Sequence, residues 1–133
     1  NNIRAISGML NTLNVELTAS DYKKAIEQCN ENDFCYLDPP YHQEKKTSFT
    51  SYTANSFNED DQIQLHKTIE SLNDKNVNVM LSNSDSQLIR DLYSKKYNVN
   101  QLNALRAINS DGKNRKGSTE LLITNYLSLK PIS

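Results

Sequence analysis

The sequence predicts an α/β fold with a mostly parallel sheet that ends in an antiparallel hairpin. Three observations predict it. Strand-like and helix-period segments alternate along the chain, as they do where crossover helices join strands of one sheet. Phe34-Cys35-Tyr36-Leu37 is a continuous apolar run, the pattern of a buried parallel strand, and it stops abruptly at Asp38-Pro39-Pro40-Tyr41. Near the C-terminus, two strand-like segments flank a polar turn containing Gly112 and Gly117, which reads as a hairpin with a long tip.

The elements follow in order. Ile3, Ile6, Leu10 and Leu13 recur at helical spacing and predict a short opening helix. Residues 14–18, Asn-Val-Glu-Leu-Thr, alternate and read as a strand. A second short helix opens at Asp21-Tyr22, runs through Ala25, Ile26 and Cys29, and ends in Asn30-Glu31-Asn32-Asp33. The apolar strand from Phe34 to Leu37 must leave the sheet at the two prolines, which cannot continue a ladder. Residues 42–55 are rich in Lys, Thr and Ser and read as an extended loop. Ser56-Phe57-Asn58-Glu59 fits a capping box for a helix with Leu65, Ile69 and Leu72 on one face, ending near Asn73-Asp74. Val77 to Leu81 is the next strand. Ser84-Asp85-Ser86-Gln87 fits a second capping box, with Ser84 the better cap, before a helix carrying Leu88, Ile89 and Leu92. The hairpin strands are expected around Tyr97 to Arg106 and Glu120 to Tyr126, with the turn at Asn109 to Gly117.

Composition narrows the function classes. The chain has 133 residues, 15 basic and 16 acidic side chains, a net charge of -1 and 36% hydrophobic residues. That is one domain's worth of chain, and a domain of this size buries roughly 65–70% of its unfolded surface. Near-zero net charge excludes a polybasic arm that holds nucleic acid by bulk electrostatics. No window approaches 18 consecutive apolar residues, so no transmembrane helix is expected. The first residues, Asn1-Asn2-Ile3-Arg4, lack the apolar core of a signal peptide and an initiator Met; a fragment or processed chain is expected, in a reducing cytoplasm. Cys29 and Cys35 are too few for a disulfide scaffold, and Cys35 reads as a small buried hydrophobe. His42 and His66 stand apart from any zinc-type spacing, so no metal is assigned.

In a parallel α/β sheet the ligand sits beyond the carboxyl ends of the strands. Asp38-Pro39-Pro40-Tyr41 lies at such an end, as does Ser82-Asn83. The Asp offers acceptor oxygens, the prolines fix φ and present nearby carbonyls rigidly, and the Tyr offers a flat face for stacking. Such a set suits an exocyclic amine on a planar heterocycle. The amine donates to the Asp and to a main-chain carbonyl while the ring stacks on the Tyr. Those bonds draw the nitrogen toward tetrahedral geometry and aim its lone pair at an electrophile; the proton can leave after attack, so no strong base is required. The plainer role for the tetrapeptide is a turn that ends a strand.

Several segments taken together resemble the Dam-type, D12 class DNA adenine-N6 methyltransferases. They are the run from Phe34 to Tyr41, then Ser48-Phe49-Thr50-Ser51-Tyr52, then Asn55-Ser56-Phe57 with Asp61-Gln62. Val79-Met80-Leu81-Ser82-Asn83, Arg106-Ala107-Ile108-Asn109-Ser110, Arg115 and the closing Glu120 to Tyr126 complete the match. The resemblance implies a Rossmann-like methyltransferase sheet, present in part, across residues 1–133, with residues 1–13 like the exit from a target-recognition domain. It implies a site-specific transfer of methyl from S-adenosylmethionine to N6 of an adenine flipped out of double-stranded DNA. Asp38, Pro39, Pro40 and Tyr41 would form the target-base pocket, with Asp38 also near the cofactor's methionine end. Asp21 matches the acidic position near the cofactor's adenine, and equally suits a helix cap.

Phe49 and Tyr52 line the flipped base or anchor their loop. Lys113, Arg115 and Lys116 suit phosphate contact or form an ordinary solvated turn, and Arg106 is a phosphate ligand or a strand-edge charge. Ser82-Asn83 shapes the pocket or caps the next helix.

The sequence departs from the family in two respects: most of the target-recognition domain, which reads the DNA sequence, has no counterpart, and neither has the cofactor-binding half. The glycine-rich loop that the family uses to approach the cofactor has no counterpart before Asp38, where Gly8 stands alone; Gly112 and Gly117 follow far downstream. The chain alone is therefore expected to hold S-adenosylmethionine weakly or not at all. Two other functions fit the tetrapeptide: methylation of an amine on RNA or a protein amide, and a non-catalytic, truncated nucleic-acid-binding remnant.

Overall fold

The structure, a computed structural model, describes residues 2–43, 57–104 and 118–127. The chain opens with helix α1 (Asn2–Thr12) and short helix α2 (Tyr22–Glu27), then strand β1 (Phe34–Leu37). Helix α3 (Glu59–Asp74), strand β2 (Asn78–Ser84) and helix α4 (Gln87–Tyr93) follow, and strands β3 (Asn98–Ala104) and β4 (Ser118–Thr124) close it. The four strands form one sheet in the order β1-β2-β4-β3.

The expected α/β alternation is present, and the expected β1–β2 parallel pair forms in the register Leu37 to Leu81. The sheet is mixed, however, and not mostly parallel: among the described residues, β4 runs antiparallel to both β2 and β3. The physical reason lies in the two hairpin strands. β4 carries Leu121 and Ile123, which are 1% and 2% exposed, and takes the interior of the sheet. β3 reads Asn-Val-Asn-Gln-Leu-Asn-Ala, and its polar side chains suit the edge. The return strand therefore enters between β2 and β3.

A second expectation fails at residues 14–18, which form no strand. Val15 and Leu17 are 42% and 79% exposed, so their alternation meets no sheet edge among the described residues. Alternation marks a strand only where a partner edge and a face to bury exist. The opening helix does form, but none of its residues is buried; Ile3, Ile6, Met9 and Leu10, and Leu13 just beyond its end, are all exposed.

One face of the sheet is covered. Leu65, Ile69 and Leu72 of α3, with Ile89 and Tyr93 of α4, pack on Val79, Leu81, Leu121 and Ile123, and Ile26 of α2 joins them. Every one of these side chains is less than a tenth exposed. Tyr93, Tyr97 and His66 meet edge to face, with ring centroids 5.0–6.0 Å apart. Cys35 is half-buried and packs against this core, in a less enclosed site than the sequence predicts. Burial, with Cys29 nearby, pushes its thiol up to about 11.

The ends of α3 are set by short polar residues. The N-cap is Asn58, two residues beyond the predicted Ser56, which lies outside the described residues. Asn58 Oδ1 accepts from the N–H groups of Asp60 (2.8 Å) and Asp61 (3.1 Å), and Asp61 returns a bond to the Asn58 N–H at 2.9 Å. Glu59, Asp60 and Asp61 also complement the positive end of the helix dipole. Asn58→Ala is expected to cost about 1 kcal/mol, a fall of roughly 3–5 °C in a thermal melt. At the other end Asn76 adopts φ 57°. Asn76 N–H bonds Asn73 O and Val77 N–H bonds Leu72 O, both at 3.0 Å, a Schellman closure that directs the chain into β2. In α4 the cap is Ser86, which accepts from Ile89 N–H, and not Ser84. Ser84 is still part of β2, and its hydroxyl is used elsewhere.

Candidate active site

β1 is four residues long because Pro39 and Pro40 cannot donate to a ladder. The chain therefore turns off at the carboxyl end of β1, directly beside the carboxyl half of β2, where Ser82, Asn83 and Ser84 lie. Asp38 is exposed at this end. Its Oδ1 accepts from the Ser82 hydroxyl at 2.7 Å, and that hydroxyl oxygen in turn accepts from Tyr36 OH at 3.2 Å. One carboxyl oxygen is thus held in place. Among the described residues no group donates to the other oxygen, Oδ2, or to the Pro39 carbonyl.

Tyr41 is half-buried, and its hydroxyl donates to Glu120 of β4 at 3.3 Å. Burial raises its pKa, a contact with Ser82 opposes the rise, and the negative charges of Glu120 and Asp38 add to it. Tyr41 stays a neutral phenol at neutral pH, so its ring remains available for stacking and its hydroxyl remains a donor.

Beneath the turn runs a line of side-chain amides. Gln62 of α3 and Asn83 of β2 are both 0% exposed. Gln62 Nε2 donates to the Pro40 carbonyl at 3.0 Å, and Asn83 Nδ2 donates to Gln62 Oε1 at 3.0 Å. Asn83 Oδ1 accepts from His42 N–H at 3.2 Å and from Ser84 N–H at 2.8 Å. The Ser84 hydroxyl donates to the His42 carbonyl at 2.7 Å. The His42 ring lies 2.9 Å from Ser86 Oγ through Nδ1 and 3.6 Å from Glu59 through Nε2.

The structure thus gathers Asp38, Pro39, Pro40 and Tyr41 at one end of the sheet, with Ser82 and Asn83 supporting them. Of the two roles open to Asp21, it shows the cap: Oδ1 accepts from Lys23 N–H at 2.9 Å at the start of α2. Phe49, Tyr52, Arg106, Lys113, Arg115 and Lys116 lie outside the described residues. Gly8 sits in α1 with open space around it and makes no close backbone approach. Among the described residues no group of three or more His, Cys, Asp or Glu is placed to hold a metal ion. No helix among them is long and apolar enough to cross a membrane.

Sequence reasoning assigned no role to Gln62, His42 or Glu120. For Gln62 a signal existed. Residues 62, 65, 69 and 72 form one helical stripe, and a polar residue on an apolar stripe needs a buried partner. Nothing in the sequence pairs Tyr41 with Glu120, 79 residues away.

The family described as D12 class N6 adenine-specific DNA methyltransferase matches residues 1–108. The chain belongs to this family. It is 39% identical over 125 residues to the Type II methyltransferase M1.LlaDCHI of Lactococcus lactis subsp. cremoris. That match covers 93% of the chain and 44% of the relative. It is 41% identical over 130 residues to the Type II methyltransferase M.MjaIII of Methanocaldococcus jannaschii, covering 94% of the chain and 43% of the relative. To the DNA adenine methylase of Escherichia coli it is 32% identical over 102 residues, 76% of the chain and 36% of the relative. The chain therefore spans less than half the length of each of these relatives.

Proposed function

We propose that this chain carries the target-base pocket of an S-adenosylmethionine-dependent DNA adenine-N6 methyltransferase, as part of its catalytic domain. The observation that carries the proposal is the pair of acceptors at the end of β1. Asp38 Oδ2 and the Pro39 carbonyl accept nothing from the described residues, and Tyr41 follows them. An adenine amino group has two N–H bonds to give, and two acceptors take both. The flipped base stacks on the Tyr41 ring, which costs the pocket little because the ring is already held through Glu120. With both hydrogens engaged, the N6 lone pair is drawn out of the ring's π system and becomes nucleophilic. Asp38 then offsets the positive charge that N6 gains as it accepts the methyl group.

S-adenosylmethionine, when bound, supplies an electrophilic methyl group on a sulfonium. Asp21 commits only one carboxyl oxygen to the described residues, which suits a cofactor amine or hydroxyl, and the backbone at Asp38 would lie near the cofactor's methionine end. Asp21 would keep its capping bond and use its second oxygen to hold the cofactor's adenine. The DNA partner is double-stranded, and Arg106, Lys113, Arg115 and Lys116 contact its phosphates, with Phe49 and Tyr52 near the flipped base.

The test is transfer of a tritiated methyl group from S-adenosylmethionine to unmethylated duplex DNA by the protein that carries this chain. Label is expected in N6-methyladenine; label confined to cytosine, RNA or protein, or none at all, overturns the proposal. Tyr41→Ala is expected to lower kcat/KM for DNA about 10–100-fold, the size of one base–aromatic stack. Tyr41→Phe keeps the ring and loses only the hydroxyl's contacts with Glu120 and Ser82, so it is expected to stay within about fivefold of the parent.

A further inference from the structure

We infer that Gln62 is a positioning residue for methyl transfer: it pins the Pro40 carbonyl so that the Pro39 carbonyl and Asp38 are left to hold the target amine. The inference rests on the methyltransferase reading above. It starts from the polarity of the amide line. His42 N–H and Ser84 N–H are backbone donors and can only meet an acceptor, so Asn83 must turn Oδ1 toward them. Its Nδ2 then faces Gln62, which must present Oε1. Gln62 is left with Nε2 toward Pro40, whose carbonyl is an acceptor. Each bond dictates the next, from two backbone donors at one end to one backbone acceptor at the other. No amide in the line can flip without breaking at least two bonds.

The consequence falls on the turn. Two consecutive prolines carry no N–H, so the backbone from Asp38 to Tyr41 has few ways to anchor itself. Gln62 supplies one anchor at Pro40, and Asn83 and Ser84 grip the next peptide at His42. With φ of both prolines fixed by their rings, holding Pro40 O restricts the directions open to the Pro39 carbonyl. Both amides are wholly buried, so water cannot replace them in the line. The titratable groups around the line are His42, whose ring lies against Ser86 and Glu59, and Asp38, which bonds Ser82 next to Asn83.

Two variants of the full-length protein test this. Gln62→Met keeps the length of the side chain and removes both bonds; kcat is expected to fall about 100-fold, as for a misplaced reacting group, while KM for S-adenosylmethionine stays within about threefold. Gln62→Glu reproduces both bonds only when its carboxyl is protonated, with O–H to Pro40 O and C=O accepting from Asn83. Burial raises the pKa of such a carboxyl, so the kcat of this variant relative to the parent is expected to rise about tenfold between roughly pH 8 and pH 6. A residue that merely filled space would show no such rescue. Parent-like kcat in Gln62→Met, or a Gln62→Glu to parent ratio that is flat with pH, overturns the inference while leaving the methyltransferase reading standing. A parent protein that does not methylate adenine overturns that reading, and the inference with it.

Discussion

Asp38→Ala is expected to lower kcat for adenine methylation about 10²–10³-fold, about 2.7–4 kcal/mol of transition-state stabilisation. On the proposed reading, the carboxyl group accepts one N–H of the target amine and faces the positive charge that grows on N6 as the methyl group arrives. Alanine removes both effects, and water that replaces the carboxyl is neither fixed nor oriented. The fold should survive. Asp38 is exposed, and its loss frees only the Ser82 hydroxyl, which keeps its bond from Tyr36 OH. A cost of about 1 kcal/mol or less is expected in a melt. The measurement is single-turnover methyl transfer beside a thermal melt of the same preparation. Parent-like turnover in the folded variant would remove Asp38 from the chemistry.

Leu81→Ala is expected to have the largest effect on stability, about 2–5 kcal/mol, seen as a fall of roughly 10 °C or more in the melting midpoint. Leu81 is 0% exposed and lies in β2, between Leu37 of β1 and Ile123 of β4. Helix α3 covers the same face of the sheet with Leu65, Ile69 and Leu72. A cavity there cannot collapse without disturbing two strand pairings at once. Leu102 offers the contrast: it lies on edge strand β3, is 47% exposed, and Leu102→Ala is expected to change stability by no more than about 0.5 kcal/mol. Equal losses in the two variants would mean that the sheet does not carry the core in this way.

Much of the fold was legible because its causes are local. The apolar run at Phe34 to Leu37 ends where two prolines begin, and β1 ends there. Leu65, Ile69 and Leu72 recur with helical period, and α3 buries that stripe. The hairpin near the C-terminus was legible from its turn residues, and β3 and β4 pair as it requires. One error arose where two nearby residues compete for one local role. Ser84 and Ser86 both suit a cap; β2 extends to Ser84 because it pairs with Glu120, which leaves the cap to Ser86. The same competition at Asp21 resolves to a capping bond, a local use that leaves one oxygen for other work.

By itself, the sequence determined the chemistry on offer: an acid, two prolines and a tyrosine at the end of an apolar strand, in an order that marks the D12 class. Each of those residues acts through its own side chain or backbone, so their identity and spacing suffice to name them. The tertiary structure decided what holds them. Gln62 meets Pro40 across 22 residues, Asn83 meets His42 across 41, and Tyr41 meets Glu120 across 79. It also decided that β4 runs between β2 and β3, which brings Glu120 to the site. Such contacts join residues brought together by burial and strand order, and neither is encoded in the spacing along the chain.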